Sequence, residues 1–111
     1  MKVRFIAAII AALPLVSEAD FSRKEIAVKE VGLSLNSQRV FVKSTTLAAD
    51  SECSDKAHYA MKLGSPESYL FYSAALSALN EGKKMRVQYL TGANDCLSNA
   101  SQVNVFWNLT Y

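Results

Sequence analysis

Gly64-Ser65-Pro66-Glu67-Ser68-Tyr69-Leu70-Phe71-Tyr72-Ser73-Ala74-Ala75-Leu76-Ser77-Ala78-Leu79-Asn80-Glu81-Gly82 decides how this chain folds. Ser65 can accept from the free amides of a first helical turn, and Pro66 fits the first helical position, where no N–H is needed. Glu67 suits the positive end of the helix, and Gly82 supplies a left-handed stop. The stretch therefore predicts one helix from Pro66 to about Glu81. At 100° per residue its apolar side chains cover an arc of about 260°, far more than a helix lying on one small core needs. Only Ser73, Ser77, Asn80 and Glu81 form a polar stripe. Tyr69, Phe71, Tyr72, Leu76 and Leu79 are thus candidates for a second contact surface, a homo-oligomer interface. The alternative is that the alanines and tyrosines tolerate water.

On both sides of this helix the pattern turns to strands. Lys84 to Leu90 alternates, with Met85, Val87 and Tyr89 opposed to Lys84, Arg86 and Gln88. Val103 to Leu109 alternates too, placing Val103, Val105, Trp107 and Leu109 against Asn104, Phe106 and Asn108. Upstream, Ile26 to Leu35 changes parity at Lys29–Glu30, the mark of a β-bulge, with Gly32 beside it. Arg39 to Ser44 should close a hairpin with it, and His58 to Leu63 forms a shorter third strand. Three strands, one helix and two strands make a mainly β chain.

The first residues have a different character. Lys2 and Arg4 precede an apolar run from Phe5 to Val16, and Ser17-Glu18-Ala19 places small residues before Asp20. This is the order of a secretory signal peptide, with residues 1–19 removed and 20–111 left as one domain. The apolar run is too short to span a bilayer, so no membrane insertion is expected. Cleavage takes the twelve cations and ten anions of the 111-residue chain to ten and nine, a net charge of +1. That balance gives no electrostatic reason to propose nucleic acid as a partner.

A domain this small is marginal on burial alone. Its two cysteines, Cys53 and Cys96, both in polar stretches, predict one disulfide in an oxidising compartment. Enzyme chemistry finds no footing. His58 is the only histidine and lacks an oriented nucleophile. Asp50, Glu52 and Asp55 form an acidic loop without the spacing of a calcium-binding hand. No phosphate loop, nucleophile elbow or catalytic cysteine signature occurs. No metal site or cofactor is expected.

A five-stranded Greek-key barrel with one helix between strands 3 and 4 is the OB-like architecture, whose surfaces bind oligosaccharides and oligonucleotides. In the stretch from Tyr69 through Gly82 to Tyr89, and in its leader, cysteine number, length and strand order, the chain resembles the exported B subunits of AB5-type toxins. The nearest likeness is to subtilase-cytotoxin and pertussis-like B subunits. The resemblance implies a pentameric ring with the helices facing a central channel, a host glycan or cell-surface glycoconjugate as ligand, and a toxin A-type chain as a further partner. No individual sugar-contacting residue carries over.

From the residues themselves, sugars call for exposed aromatics beside amides and hydroxyls. Arg86, Gln88, Asn104 and Phe106 form one candidate ligand-binding patch, and the hydroxyl-rich Ser44, Thr45 and Thr46 another. Phe106 could instead pack under a loop or another subunit. The chain therefore reads as a secreted or periplasmic carbohydrate-binding subunit. The alternative is a protein-binding, inhibitor-like module without enzymatic activity.

Overall fold

A computed structural model describes residues 20–109. The signal-peptide reading of residues 1–19 lies outside them. Strand β1 (Phe21–Ser34) is long enough to serve two neighbours. Its first half, Phe21 to Ala27, runs antiparallel to β4 (Lys84–Leu90). Its second half, Val28 to Ser34, runs antiparallel to β2 (Arg39–Ser44). The register shifts between Val28 and Glu30, where the apolar parity changes. The extra residue bends β1 there, so one strand turns the corner between two sheets. The start at Phe21 is earlier than alternation alone predicts, because Arg23 and Glu25 are outward-facing and carry no apolar signal.

Strand β2 pairs antiparallel with β3 (Asp55–Lys62). Strand β6 (Ala100–Asn108) begins parallel to β3 and continues antiparallel to β4, which closes the five-stranded barrel. A two-residue strand, β5 (Cys96–Leu97), forms a small hairpin with the start of β6. The OB-like barrel expected from the element order is present, with β5 as an addition.

Helix α1 (Pro66–Glu81) lies between β3 and β4. Ser65 is extended and its side chain accepts from the Ser68 amide, while Gly82 is left-handed at φ 66°. The Lys83 amide then donates to the Ala78 carbonyl at 2.9 Å, satisfying a carbonyl the helix leaves open. Ser68, Phe71, Ala75 and Ala78 form the buried row of the helix. Three of these enter one core with Ile26, Val40, Val42, Tyr59, Met85, Val87, Tyr89 and Val103.

Cys53 and Cys96 are bonded, with Cα atoms 5.7 Å apart. The bond ties the β2–β3 loop to β5 and is consistent with an oxidising environment. No helix among the described residues is long and apolar enough to cross a membrane.

One strand departs from its expected parity. Tyr89 pairs with Val103, yet Gln88 pairs with Val105, so β6 carries an extra residue at Asn104. Beyond that point inward and outward positions exchange. Phe106 turns toward the core and meets Phe71 with ring centroids 5.3 Å apart. Val105 and Trp107 face out, 37% and 38% exposed.

Candidate functional site

The outer face of the β1–β4–β6 sheet gathers the polar and aromatic side chains into two rungs. In the first, Arg23, Gln88 and Val105 stand opposite one another; in the second, Glu25, Arg86 and Trp107 do. Alternation places them there, because Met85, Val87 and Tyr89 turn into the barrel. Arg23 Nε donates to Gln88 Oε1 at 2.8 Å, and Gln88 Nε2 donates to Asn104 Oδ1 at 3.2 Å. Asn104 thus uses its carbonyl, and its amide N–H groups are the part a ligand would meet. Arg86 Nη2 donates to Glu25 Oε2 at 3.0 Å, and its Cζ lies 5.9 Å from the Trp107 ring centroid. Both ion-pair side chains are nearly half exposed. Such a pair adds little stability, and its effect here is to hold the guanidinium beside the indole.

The expected patch is therefore assembled in part. Arg86, Gln88 and Asn104 come together. Phe106 does not join them, since the extra residue in β6 aims it inward, and Trp107 takes the outward place. The second candidate patch is corrected more fully. Ser44 is buried and its Oγ accepts from the Thr46 amide at 2.9 Å. Thr46 Oγ1 accepts from the Ala27 amide, and its carbonyl accepts from the Tyr59 hydroxyl at 2.6 Å. These hydroxyls fasten the β2–β3 loop to β1, and only Thr45 faces solvent.

Among the proposed interface residues, Phe71 is fully buried in the chain's own core. It sits on the inward row of α1, so it is unavailable to a neighbour. Tyr72 and Leu79 are partly buried against the same core, and Leu76 is half-buried. Tyr69 is exposed, and so is Leu70, which lies in the apolar arc but outside the expected interface.

The acidic loop divides its duties. Asp50 accepts from the buried Tyr89 hydroxyl at 2.5 Å and from Ser22 Oγ. Burial pushes its pKa up, but the bonds from Ser22 and Tyr89 and the charge of Lys24 outweigh this, and the net direction is down. Burial, reinforced by the Asp50 charge, pushes the Tyr59 hydroxyl well above its ordinary value. Burial also raises Tyr89, helped by its bond to Asp50. Asp55 instead lies 2.9 Å from His58 Nδ1; burial pushes its pKa up, but the contact and charge of His58 outweigh this and the net direction is down. Asp50 and Asp55 thus serve different partners, and no group of three or more metal-binding side chains occurs among the described residues.

A depression between the end of α1, the start of β4 and the end of β6 is open to solvent and holds only about 20 Å³, room for about one water. Small-molecule pockets usually run to ~300–1,000 Å³. The fold and this outer face define a class, a disulfide-closed OB-like barrel with a shallow polar–aromatic face. Compared with protein-family profiles, curated proteins and solved structures, the chain matches none.

Proposed function

We propose that the chain is an exported carbohydrate-binding subunit that receives a sugar on the outer face of β1, β4 and β6. The observation that carries this reading is the Trp107 indole standing beside the fixed Arg86 guanidinium. The Gln88–Asn104 amide pair stands on the neighbouring rung. A sugar ring offers an apolar C–H face to an aromatic and hydroxyls to planar amides and guanidinium donors, so the two kinds of group are needed side by side. The leader-like residues 1–19 and the disulfide support export.

The likeness to toxin B subunits extends the proposal to a ring, a cell-surface glycoconjugate as ligand and an A-type catalytic partner. Tyr69 and Leu70, 57% and 61% exposed on α1, are the surface a neighbouring copy would cover. Light scattering on residues 20–111 tests the ring, since a monodisperse monomer removes it. A multivalent glycan array tests the ligand. The wild type should give a hit that Trp107→Ala abolishes while its melting temperature holds. Equal array signals from both proteins refute the site.

One feature favours the inhibitor-like alternative. Leu33 and Leu35 at the β1–β2 tip are 47% and 75% exposed, neighbouring apolar side chains that a protein partner would cover.

A further inference from the structure

The opposite side of the barrel carries a second, differently charged surface. On the outer face of β2 and β3, Arg39 pairs with Lys62, Phe41 with Ala60, and Lys43 with His58. Val40, Val42, Tyr59 and Met61 take the inward positions, which leaves Lys43 and Lys62 exposed. Glu30 stands opposite Lys43 on β1 and Asp55 contacts His58, yet among the described residues no carboxylate lies within ion-pair distance of Arg39, Lys43 or Lys62.

Arg39 is held from several sides. Its Cζ lies 5.4 Å from the Phe41 ring centroid, and Nη1 donates to the Leu97 carbonyl at 2.9 Å. Its Nε is enclosed without a partner. The Phe41 ring lies across Gly32 and meets the His58 ring edge-on at 5.6 Å. The guanidinium is therefore positioned by packing and a backbone carbonyl; with Nε enclosed and Nη1 on Leu97, Nη2 is the nitrogen left for an outside ligand. A fixed guanidinium without a carboxylate is suited to an oxyanion.

We propose that this face binds a segment of sulfated polysaccharide, with Arg39 gripping one sulfate and Lys43 and Lys62 its neighbours. Arg39 and Lys43 are four residues apart on an extended strand, about 13 Å at ~3.3 Å per residue. Three cations over that span call for a densely charged, extended ligand. A polysaccharide with one carboxylate per disaccharide is too sparse. Single-stranded nucleic acid needs bare aromatic faces for its bases. Here the only aromatic on β2 is packed against Arg39, Gly32 and His58.

The site is distinct from the Trp107 face, and either can fail without the other. The test is fluorescence anisotropy of residues 20–111 with a labelled heparin hexasaccharide at fixed salt. Lys43→Gln/Lys62→Gln should weaken binding by about tenfold or more, the effect of losing two charge-assisted contacts. Lys83→Gln/Lys84→Gln removes the same charge elsewhere and should leave affinity within about twofold, because screening confines the effect to nearby cations. Arg39→Lys keeps the charge but loses the planar fork, and should also weaken binding. Hyaluronan and a dT12 oligonucleotide should bind more weakly than heparin. Equal losses in both lysine pairs, unchanged affinity in the first pair, or hyaluronan or dT12 binding as tightly as heparin would each overturn the proposal.

Discussion

Replacing Gly32 by alanine adds one methyl group and tests the packing that positions Arg39. A Cβ built on Gly32 falls 2.4 Å from Phe41 Cζ, 2.8 Å from Cε2 and 3.1 Å from Cε1. Favourable carbon–carbon contacts lie near ~3.5–4.0 Å, so the ring must move by about 1 Å. It cannot move freely, because Arg39 and His58 bear on it. Overpacking of this kind costs about 1–3 kcal/mol. Gly32 is not among the positive-φ glycines, so alanine adopts its backbone without strain. Loss of freedom in the unfolded chain then returns about 0.4–1 kcal/mol. Gly32→Ala should therefore lower stability by up to roughly 2.5 kcal/mol, the difference of the two. In a Phe41→Ala background the obstacle is gone, and the same change should be neutral or slightly stabilising. Urea unfolding of the four proteins of this cycle, with the disulfide intact, measures the coupling. Additivity within about 0.5 kcal/mol would show that ring and glycine do not interact.

Two further outcomes follow from the bonds that hold the loops. Cys53→Ser/Cys96→Ser releases a closure across 43 residues, and the chain-entropy relation gives a loss of about 4 kcal/mol. Chemical unfolding with and without reductant checks this, and a loss under about 1 kcal/mol would contradict it. Stability should also fall at both pH extremes. Tyr59 and Tyr89 release their protons at higher pH folded than unfolded, so the unfolded chain binds fewer protons above pH 10, and stability declines as pH rises from there. Asp50 is held below 3.8 in the fold, so its contribution is present above that value and is lost as pH falls through the depressed one. Melting curves across pH should show Tyr89→Phe flattening the alkaline limb and Asp50→Asn the acid limb. Unchanged limbs in either variant would remove that group from the account.

Much of the fold was legible because local signals agreed with long-range packing. The Ser65–Pro66 start and the Gly82 stop bounded α1 to the residue, since caps satisfy backbone groups that no distant contact supplies. Bounds of β2 and β4 followed from alternation with one face in the core. The β1 bulge was readable because apolar residues lie on both sides of it and their parity changes. Gly32 marks the bulge in the strand pattern, but the structure gives it a second role. Its missing side chain makes room for Phe41, a contact between strands that no single-strand pattern contains. The Ser44 and Thr46 hydroxyls misled in the same way. A hydroxyl-rich loop reads alike whether it meets a ligand or fastens its own backbone, and here the backbone of Ala27 and Thr46 claims it.

The β6 bulge shows where such reading fails and why the failure is informative. Val103, Val105, Trp107 and Leu109 alternate without a break, so nothing in the strand announces the extra residue at Asn104. The deciding contact is distant. Phe71 on α1 leaves a place against β6 that Phe106 fills, and moving Phe106 inward obliges Val105 and Trp107 to face water. The barrel thus exposes two large apolar side chains to seat one. A sequence shaped for stability alone could carry polar residues at 105 and 107 at no cost to the core, because neither belongs to it. Natural sequences tend to break local consistency where function demands it. The indole that alternation would have hidden, standing beside a fixed guanidinium on the neighbouring strand, is therefore the side chain whose replacement should separate binding from folding most cleanly.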